Sequence, residues 1–517
     1  MKISTTYRII GIIVVSVALM LLFYADKKST TPAVEISKTE LADKIKGGWA
    51  GQIIGCKYGG PTEFKYNGRI IPDNVKIAWD ENNPIAKGEF NGLYDDVYID
   101  ITFLDLYRRF GMNIDFHEFY RSLGTSSYML WCGNLETRCA FIDNYHNDSP
   151  TSWAINPHAN SIDFQIEADF AGLASPALPV AAVHLYCKAG KVIGGGEGYY
   201  CGCFVGAMYS NAFASKKPIE IVEKSLPILP TQSQTYAIVS ELIELYKKNP
   251  TDWKIAWKHI DQKYYKPTNY YISSDKILYS PFNLAYVVIG LLYGESDFEK
   301  TMDIATRCGL DSDCNPSTAC GILSAMNGYN KIPEKYRRPL EKSLDVKFEG
   351  TDYTPTRLYD ESLKQAEITL QKYGAVDTGN SYRIPIIAVE QLKFEAPIPV
   401  GLKVKKNLSG EVSKSQREFV IEYEGDGIAL FLGDKIRKYL VENGRNVLFP
   451  KTLVHLEIEI DGKVERKPQI YYQHGGERHT LYQNLAQTKG KHKAVVRLKG
   501  WEADWQLEAI DLQILLY

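Results

Sequence analysis

Net charge is nearly absent from this sequence: 60 Lys and Arg stand against 62 Asp and Glu, a formal −2 over 517 residues. A chain so close to neutral carries no electrostatic footprint for nucleic acid, and that partner class is not expected. Cysteine is scarce as well. The nine cysteines fall between Cys56 and Cys320, and their odd number leaves at least one unpaired. Their spacings do not match a zinc site. Cys201, Cys203, Cys308, Cys314 and Cys320 sit among small apolar residues and read as small buried hydrophobes. Gly194-Gly195-Gly196 lacks the Lys and hydroxyl of a phosphate-binding loop, so it gives no support for nucleotide binding. One long apolar run is present, Ile9 to Tyr24, preceded by Lys2 and Arg8 and followed by Asp26-Lys27-Lys28. It reads as a secretory signal, with an uncleaved membrane anchor through residues 9–24 as the rival reading. Either way the bulk of the chain is expected outside the cytoplasm: periplasmic, secreted or membrane-anchored.

What is present divides the chain in three. Residues 1–34 are the signal or anchor with a short polar linker. Residues 35–376 read as one mostly helical domain. Ser37-Lys38-Thr39-Glu40 is a capping box, after which Leu41, Ile45, Trp49 and Ile53 recur on one helix face. Gly51, Gly55 and Gly59 form a smooth stripe on the same helix, which lets another backbone approach closely. Further helices are expected from the stretch Gly92–Asp100 to Phe110, with Asp95 and Asp96 in the first turn, from Ser280 through Leu291, after a second capping box at Ser296, and from Pro355 to the stop at Gly374. Trp253 and Trp257, four residues apart, suit a core contact. After residue 376 the period changes to alternation, as in Phe419-Val420-Ile421-Glu422-Tyr423, and Asp461-Gly462 is a hairpin turn. Residues 377–517 therefore read as a smaller β-sandwich, in which Trp501 and Trp505 suit either packing or a sugar ring.

The chemistry-bearing residues are acids at helix ends. Asp311 and Asp313 precede Asn315-Pro316, an expected N-cap and first turn of a helix running through Ala325. Asp95 and Asp96 open another helix, with Asp100 one turn on from Asp96. Glu63 follows the glycine-striped helix. Each acid alone reads as dipole complementarity or a solvated loop. Together they offer several oxygens to a hard cation and an acid/base pair for glycosidic chemistry. Glu167 and Asp169 lie in an apolar neighbourhood, either on the surface of an amphipathic helix, the commoner placement, or lining a pocket.

These motifs resemble the ADP-ribosylglycohydrolase family over roughly residues 40–330. Ala50-Gly51, Gly55, Gly59 and Glu63 match its first motif, Asp95-Asp96 the acids of its Thr-Asp-Asp motif, and Gly309, Asp311, Asp313 and Asn315 its last. The resemblance implies an all-α catalytic scaffold and a hydrolase using magnesium, one or two ions, with another divalent cation as an alternative. It implies Asp95, Asp96, Asp311 and Asp313 as metal ligands and Glu63 as general acid or base, with Asp96 and Asp100 as further catalytic candidates. Tyr94, Glu167, Asp169 and Asn315 are the expected substrate-binding residues. Three positions depart from the family pattern: Tyr94 and Cys314 stand where it has Thr, and Cys56 where it has Asp. One divalent ion or a metal-free acid pair therefore stays open beside a dinuclear site. The expected activity is hydrolysis of a glycosidic bond in a glycan or ribose-like furanoside. The alternatives are an ADP-ribosyl-conjugate or nucleoside hydrolase, and an inactive sugar-binding protein.

Overall fold

A computed structural model describes residues 32–83, 85, 94–145, 156, 158–264, 277–348, 350–395, 404–443, 452–471, 480–502 and 508–517. The apolar run at 9–24, Gly92, Leu93 and Trp505 lie outside them. Among the described residues no helix is long and apolar enough to cross a membrane.

The helical body is organised around one pair of helices. Strand β1 (Ala33–Ser37) leads into α1 (Lys38–Gly59), whose first turn is capped by Ser37 Oγ accepting from the Glu40 amide at 3.1 Å. The expected glycine stripe begins one turn earlier than Gly51 and has a partner, the helix α8 (Cys314–Asn327). A Cβ built on Gly47 would lie 2.5 Å from Ser324 O, on Gly51 2.3 Å from Cys320 O, on Gly55 2.4 Å from Pro316 O, and on Gly59 1.8 Å from Ser312 O. The two helices run antiparallel, backbone on backbone, in steps of one turn. Any side chain at these positions would wedge them apart. The opposite faces of α1 bury Leu41, Ile45, Trp49 and Ile53. Each large apolar side chain taken fully out of water contributes about 1.5–3 kcal/mol. Trp49 Nε1 also donates to Ser362 Oγ at 2.8 Å, on a late helix of the domain, α9 (Pro355–Lys372).

Around this pair pack α2 (Asp95–Phe110), α3 (Cys132–Ile142), the short α4 (Asp163–Ile166) and α5 (Asp169–Leu173), the buried α6 (Gly196–Ala212) and α7 (Ser280–Tyr293). Gly111 ends α2 with φ 67°, and Gly374 lies just beyond α9 with φ 81°. Two caps differ from expectation. α8 begins at Cys314 with Asp313 in the cap position, so Asn315 lies inside the first turn. The helix expected to follow a Ser296 capping box is capped instead by Asp297, whose Oδ1 accepts from Lys300 N at 2.7 Å. Of the two tryptophans four apart, Trp257 is buried and stacks on Tyr286, while Trp253 packs only partly buried.

The change of period near 377 does not coincide with the seam between bodies. β2 (Val376–Asp377) and β3 (Ser381–Pro385) pair with each other, and β3 pairs with β1, Val34 opposite Ile384 and Ile36 opposite Tyr382. Val389 and Leu392 pack on the helical core, and Leu392 N donates to Ile228 O at 2.9 Å. These strands close the helical body, so the second body begins after residue 395 rather than at 377.

That body is a two-layer antiparallel β structure. Strands β4 (Lys406–Ser413), β6 (Ile428–Leu432), β10 (Thr480–Asn484) and β12 (Ala509–Leu516) form one sheet in the order β10-β6-β12-β4. β5 (Glu418–Gly425), β7 (Thr452–Ile460), β8 (Lys463–Arg466), β9 (Gln469–Tyr471) and β11 (Gly490–Trp501) form the other. Asp461 and Gly462, with φ 52° and 83°, make the tight β7–β8 hairpin. Leu430, Leu432, Leu456, Ile458, Val496 and Leu512 share the core between the layers. Trp501 packs at its margin with Lys414 over the ring, a packing role. Against the helical body, Arg466 Nη1 donates to Glu136 Oε1 at 3.0 Å and Nη2 to Asp143 Oδ2 at 3.1 Å, with the guanidinium and both carboxylates almost wholly buried. The Gln469 amide also donates to Asp143. Beside this ion pair lies a cavity of about 390 Å³ lined by Asp143, His455, Lys467 and Gln469 among others.

Candidate functional site

The α1–α8 seam delivers two loops to one place. At its end Gly59 lies against Ser312, and Thr62 Oγ1 and Ser312 Oγ share a hydrogen bond of 2.8 Å. The loops are then stitched together: Phe64 N donates to Leu310 O at 3.2 Å and Leu310 N to Tyr66 O at 3.3 Å. Gly309 and Leu310 take φ of 83° and 60°, turning the chain into Asp311, and a Cβ on Gly309 would stand 2.4 Å from Tyr66 O. Glu63 is thereby held beside Asp311 and Asp313 although about 250 residues separate them.

The first turn of α2 faces the same point. Asp95 Oδ1 accepts from the Asp96 amide at 3.0 Å. Asp96 Oδ1 accepts from the Val97 amide at 3.0 Å and its Oδ2 from Ser317 Oγ on α8 at 2.6 Å. Tyr94 stands half-buried in the cap position of α2, and its carbonyl accepts from Tyr98 N. The carboxyls act on one another. Burial pushes Glu63 up to about 8, with the charges of Asp313 and Asp96 adding to it. Asp96 and Asp311 are each pushed up to about 7 by burial, against the hydrogen bonds that stabilise their charge. Asp95 and Asp313 are raised well above the carboxylate range, first by burial and then by neighbouring acids, Asp96 for Asp95 and Asp311 for Asp313. Ionised carboxyls this close need protons or cations among them.

A second tier lies behind. Asp100 accepts from Gln52 Nε2 at 2.8 Å and from the Phe170 amide at 3.2 Å. It pins α1, α2 and α5 together, and both its oxygens are engaged. Glu167 and Asp169 are fully buried, which overturns the commoner surface placement. Asp169 Oδ2 accepts from Tyr209 OH on α6 at 2.5 Å, and Glu167 Oε1 accepts from Asn134 Nδ2. Asp163, pushed up to about 6 by burial, takes the backbone and side-chain amides of Asn134 at 3.2 and 3.3 Å. Asn315 Nδ2 donates to Asn283 Oδ1 on α7 at 2.9 Å.

The donor set suits a cation. Oxygens of Asp311 and Asp313 and the sulfur of Cys314 lie within 4.8 Å of one another, all in buried residues. Asp311 Oδ1 and Asp313 Oδ1 accept no hydrogen bond. A buried carboxylate oxygen without a donor is costly, and a cation resolves that cost. Asp95 and Asp96 approach this group through their charge, Asp95 on Asp311 and Asp96 on Asp313, rather than as members of the same tight set.

Ser312, Ser317, Gln52, Asn134, Asp163 and Tyr209 also belong to the site, although no motif names them. Their signal is a polar side chain within an apolar or small-residue helical stretch, as Gln52 is between Gly51 and Ile53.

Compared with known proteins, residues 37–367 match the family model described as ADP-ribosylglycohydrolase. A solved structure titled "ADP-ribosylglycohydrolase-related protein complex" aligns with 64% of this chain and 99% of its own, at 13% identity and a TM-score of 0.39. No curated protein matches.

Proposed function

The chain belongs to the ADP-ribosylglycohydrolase family, and from that premise we propose that it hydrolyses a glycosidic bond of a ribofuranosyl conjugate of the ADP-ribose type. The observation that carries this reading is the meeting of Glu63, Asp95, Asp96, Asp311 and Asp313 at the end of the α1–α8 seam. Asp311 and Asp313, with Asp95 and Asp96 across from them, would hold a divalent cation. Bound there, it supplies Lewis acidity and a template for vicinal hydroxyls. Glu63 is the proton-transfer group. It is half-buried at the rim of the cluster, and its raised pKa suits a group that holds a proton near neutrality and gives or takes it during bond cleavage. Ser317 and the Val97 amide fix the Asp96 carboxylate. Asp100 acts as a positioning group, since Gln52 and the Phe170 amide occupy its oxygens. Glu167 and Asp169, with unpartnered Oε2 and Oδ1, are the substrate-hydroxyl acceptors of this proposal. A glycan substrate is the alternative, and it stands on the expected export alone. Fractionation of the native host tests it: full-length protein found only in the cytosol would remove that alternative.

The decisive experiment screens ADP-ribosyl conjugates, nucleosides and furanosides for turnover, beside calorimetry with divalent cations. Glu63→Gln should keep cation binding and lose roughly 10²–10⁴-fold in rate. Asp311→Asn should weaken cation binding and turnover together. Full activity in Asp311→Asn would sink the cation-centred mechanism, and full activity in Glu63→Gln would remove Glu63 from the chemistry. Binding of ribosyl ligands without any turnover would favour an inactive sugar-binding protein, a reading motivated by Tyr94 and Cys314 in place of the family's threonines.

A further inference from the structure

The cluster at the start of α8 is not an all-oxygen set. Its tight group is one oxygen each from Asp311 and Asp313 and Sγ of Cys314. The two aspartates leave Oδ1 without a partner, and Asn315, one residue further on and fully buried, leaves its Oδ1 unpartnered as well. A second thiol stands close by. Cys56, on α1 next to the Gly55 contact with Pro316, hydrogen-bonds the Asp96 carboxylate. Cys314 sits in the first turn of α8, buried beside Asp311 and Asp313.

A hard ion such as magnesium takes oxygen ligands in an octahedron and gains little from sulfur, whereas thiolates select zinc and its thiophilic neighbours. We propose that Asp311, Asp313 and Cys314 form a site for a thiophilic divalent ion of the zinc class, in preference to magnesium. The inference rests on the reading that this cluster holds a cation. Binding exchanges one bond for another without oxidation or reduction: the Sγ–H bond breaks, an Sγ–metal bond forms, and the proton leaves to solvent or a neighbouring carboxylate. The competing role for Cys314 is a small buried hydrophobe, which would leave the sulfur outside the coordination shell.

The test uses the full chain, stripped by chelator and loaded with Co²⁺ as a spectroscopic stand-in for zinc. A thiolate-to-cobalt charge-transfer band in the near ultraviolet is expected. Cys314→Ser should abolish the band and weaken Zn²⁺ by about tenfold or more, the scale of disturbing a metal's ligand environment. Mg²⁺ affinity should hold or rise. Cys308→Ser, a buried thiol outside the cluster, should keep the band. Zinc binding more tightly than magnesium does not by itself support the proposal, because oxygen-only sites share that order. The fall in the Zn²⁺:Mg²⁺ affinity ratio on Cys314→Ser is the supporting result. Cobalt binding without the band, a band that survives Cys314→Ser and vanishes in Cys56→Ser, or an unchanged ratio would overturn the assignment. If Cys314→Ser does not fold, Cys56→Ser decides in its place: a wild-type band that Cys56→Ser keeps supports Cys314 as the ligand, and one that it abolishes overturns the assignment. If wild-type protein binds no cation at all, the underlying cation reading fails with it; if cobalt binds without sulfur, only this inference fails.

Discussion

Two seams hold this molecule together, and they use opposite physics. Along α1 and α8, glycine meets backbone carbonyl with no side chain between them and no charge. Between α3 and the β body, a buried Arg466 is clasped by Glu136 and Asp143. The first seam is a matter of distance, and nothing on it can be enlarged. The second is a matter of charge balance, and each member depends on the others staying ionised. The acids of the site hang from the first seam, so a change there reaches chemistry as well as stability. The second seam meets the site through α3, which bears Glu136 and also Asn134, the partner of Glu167.

The contrast is broken most severely at Gly59. Gly59→Ala should lose folded protein, or fold at a cost of about 3 kcal/mol or more with turnover largely gone, because its Cβ would lie 1.8 Å from Ser312 O. Thermal melting and activity per folded molecule measure both. A stable, active Gly59→Ala would mean that the helices can part without moving Glu63. At the other seam, Arg466→Met should destabilise by about 3–5 kcal/mol, since two buried carboxylates lose their counter-ion. Adding Glu136→Gln and Asp143→Asn should recover much of that loss, as neutral groups can be buried together. Denaturant titration resolves the comparison. No recovery in the triple variant would show that the guanidinium holds the seam by packing rather than by charge.

The mildest perturbation is pH. Glu63, Asp96, Asp311 and Asp163 have folded-state pKa values raised to about 8, 7, 7 and 6. A raised carboxyl contributes stability fully below its unfolded pKa, near 4, and loses it as pH rises through the folded value. Chelator-treated protein should therefore melt at a progressively lower temperature from about pH 5 to about pH 8. A saturating divalent cation should flatten that slope by compensating the carboxylates. Arg466 remains charged throughout and contributes no such slope. A melting temperature independent of pH without cation would mean that the acids do not crowd as described.

The helical scaffold and its acids were legible because glycine spacing, capping residues and paired acids are local signals. Gly51, Gly55 and Gly59 announce a close approach, and the structure adds its partner and Gly47. Asp311 and Asp313 were legible as a pair, yet the cap at Asp313 was not. Asn315 and Pro316 favour a later start, but the tertiary contacts of Ser317 with Asp96 and of Asn315 with Asn283 draw the first turn back to Cys314. The end of the helical body was misplaced for a related reason. Alternation marks a strand, not the sheet it joins, and β3 joins β1 from the far end of the chain. Glu167 and Asp169 were ambiguous because burial of an acid depends on neighbours, here Asn134 and Tyr209, that no local pattern reveals.

The regular spacing of the α1–α8 contacts has a further consequence, because identical notches do not define a single setting. Sliding α1 by four residues, about 6 Å, would set Gly51 where Gly55 now rests and leave the fit of the stripe much the same. The same slide would carry Glu63 beyond reach of Asp313. The glycines therefore act as the teeth of a rack, and other groups must choose the tooth. Three polar contacts are placed to do so: Trp49 to Ser362, Gln52 to Asp100, and Thr62 to Ser312. None of the three can shift by four residues without leaving a buried polar group unpaired, so the alignment of the acids is indexed by side chains from the middle of the helix to the turn just beyond its end.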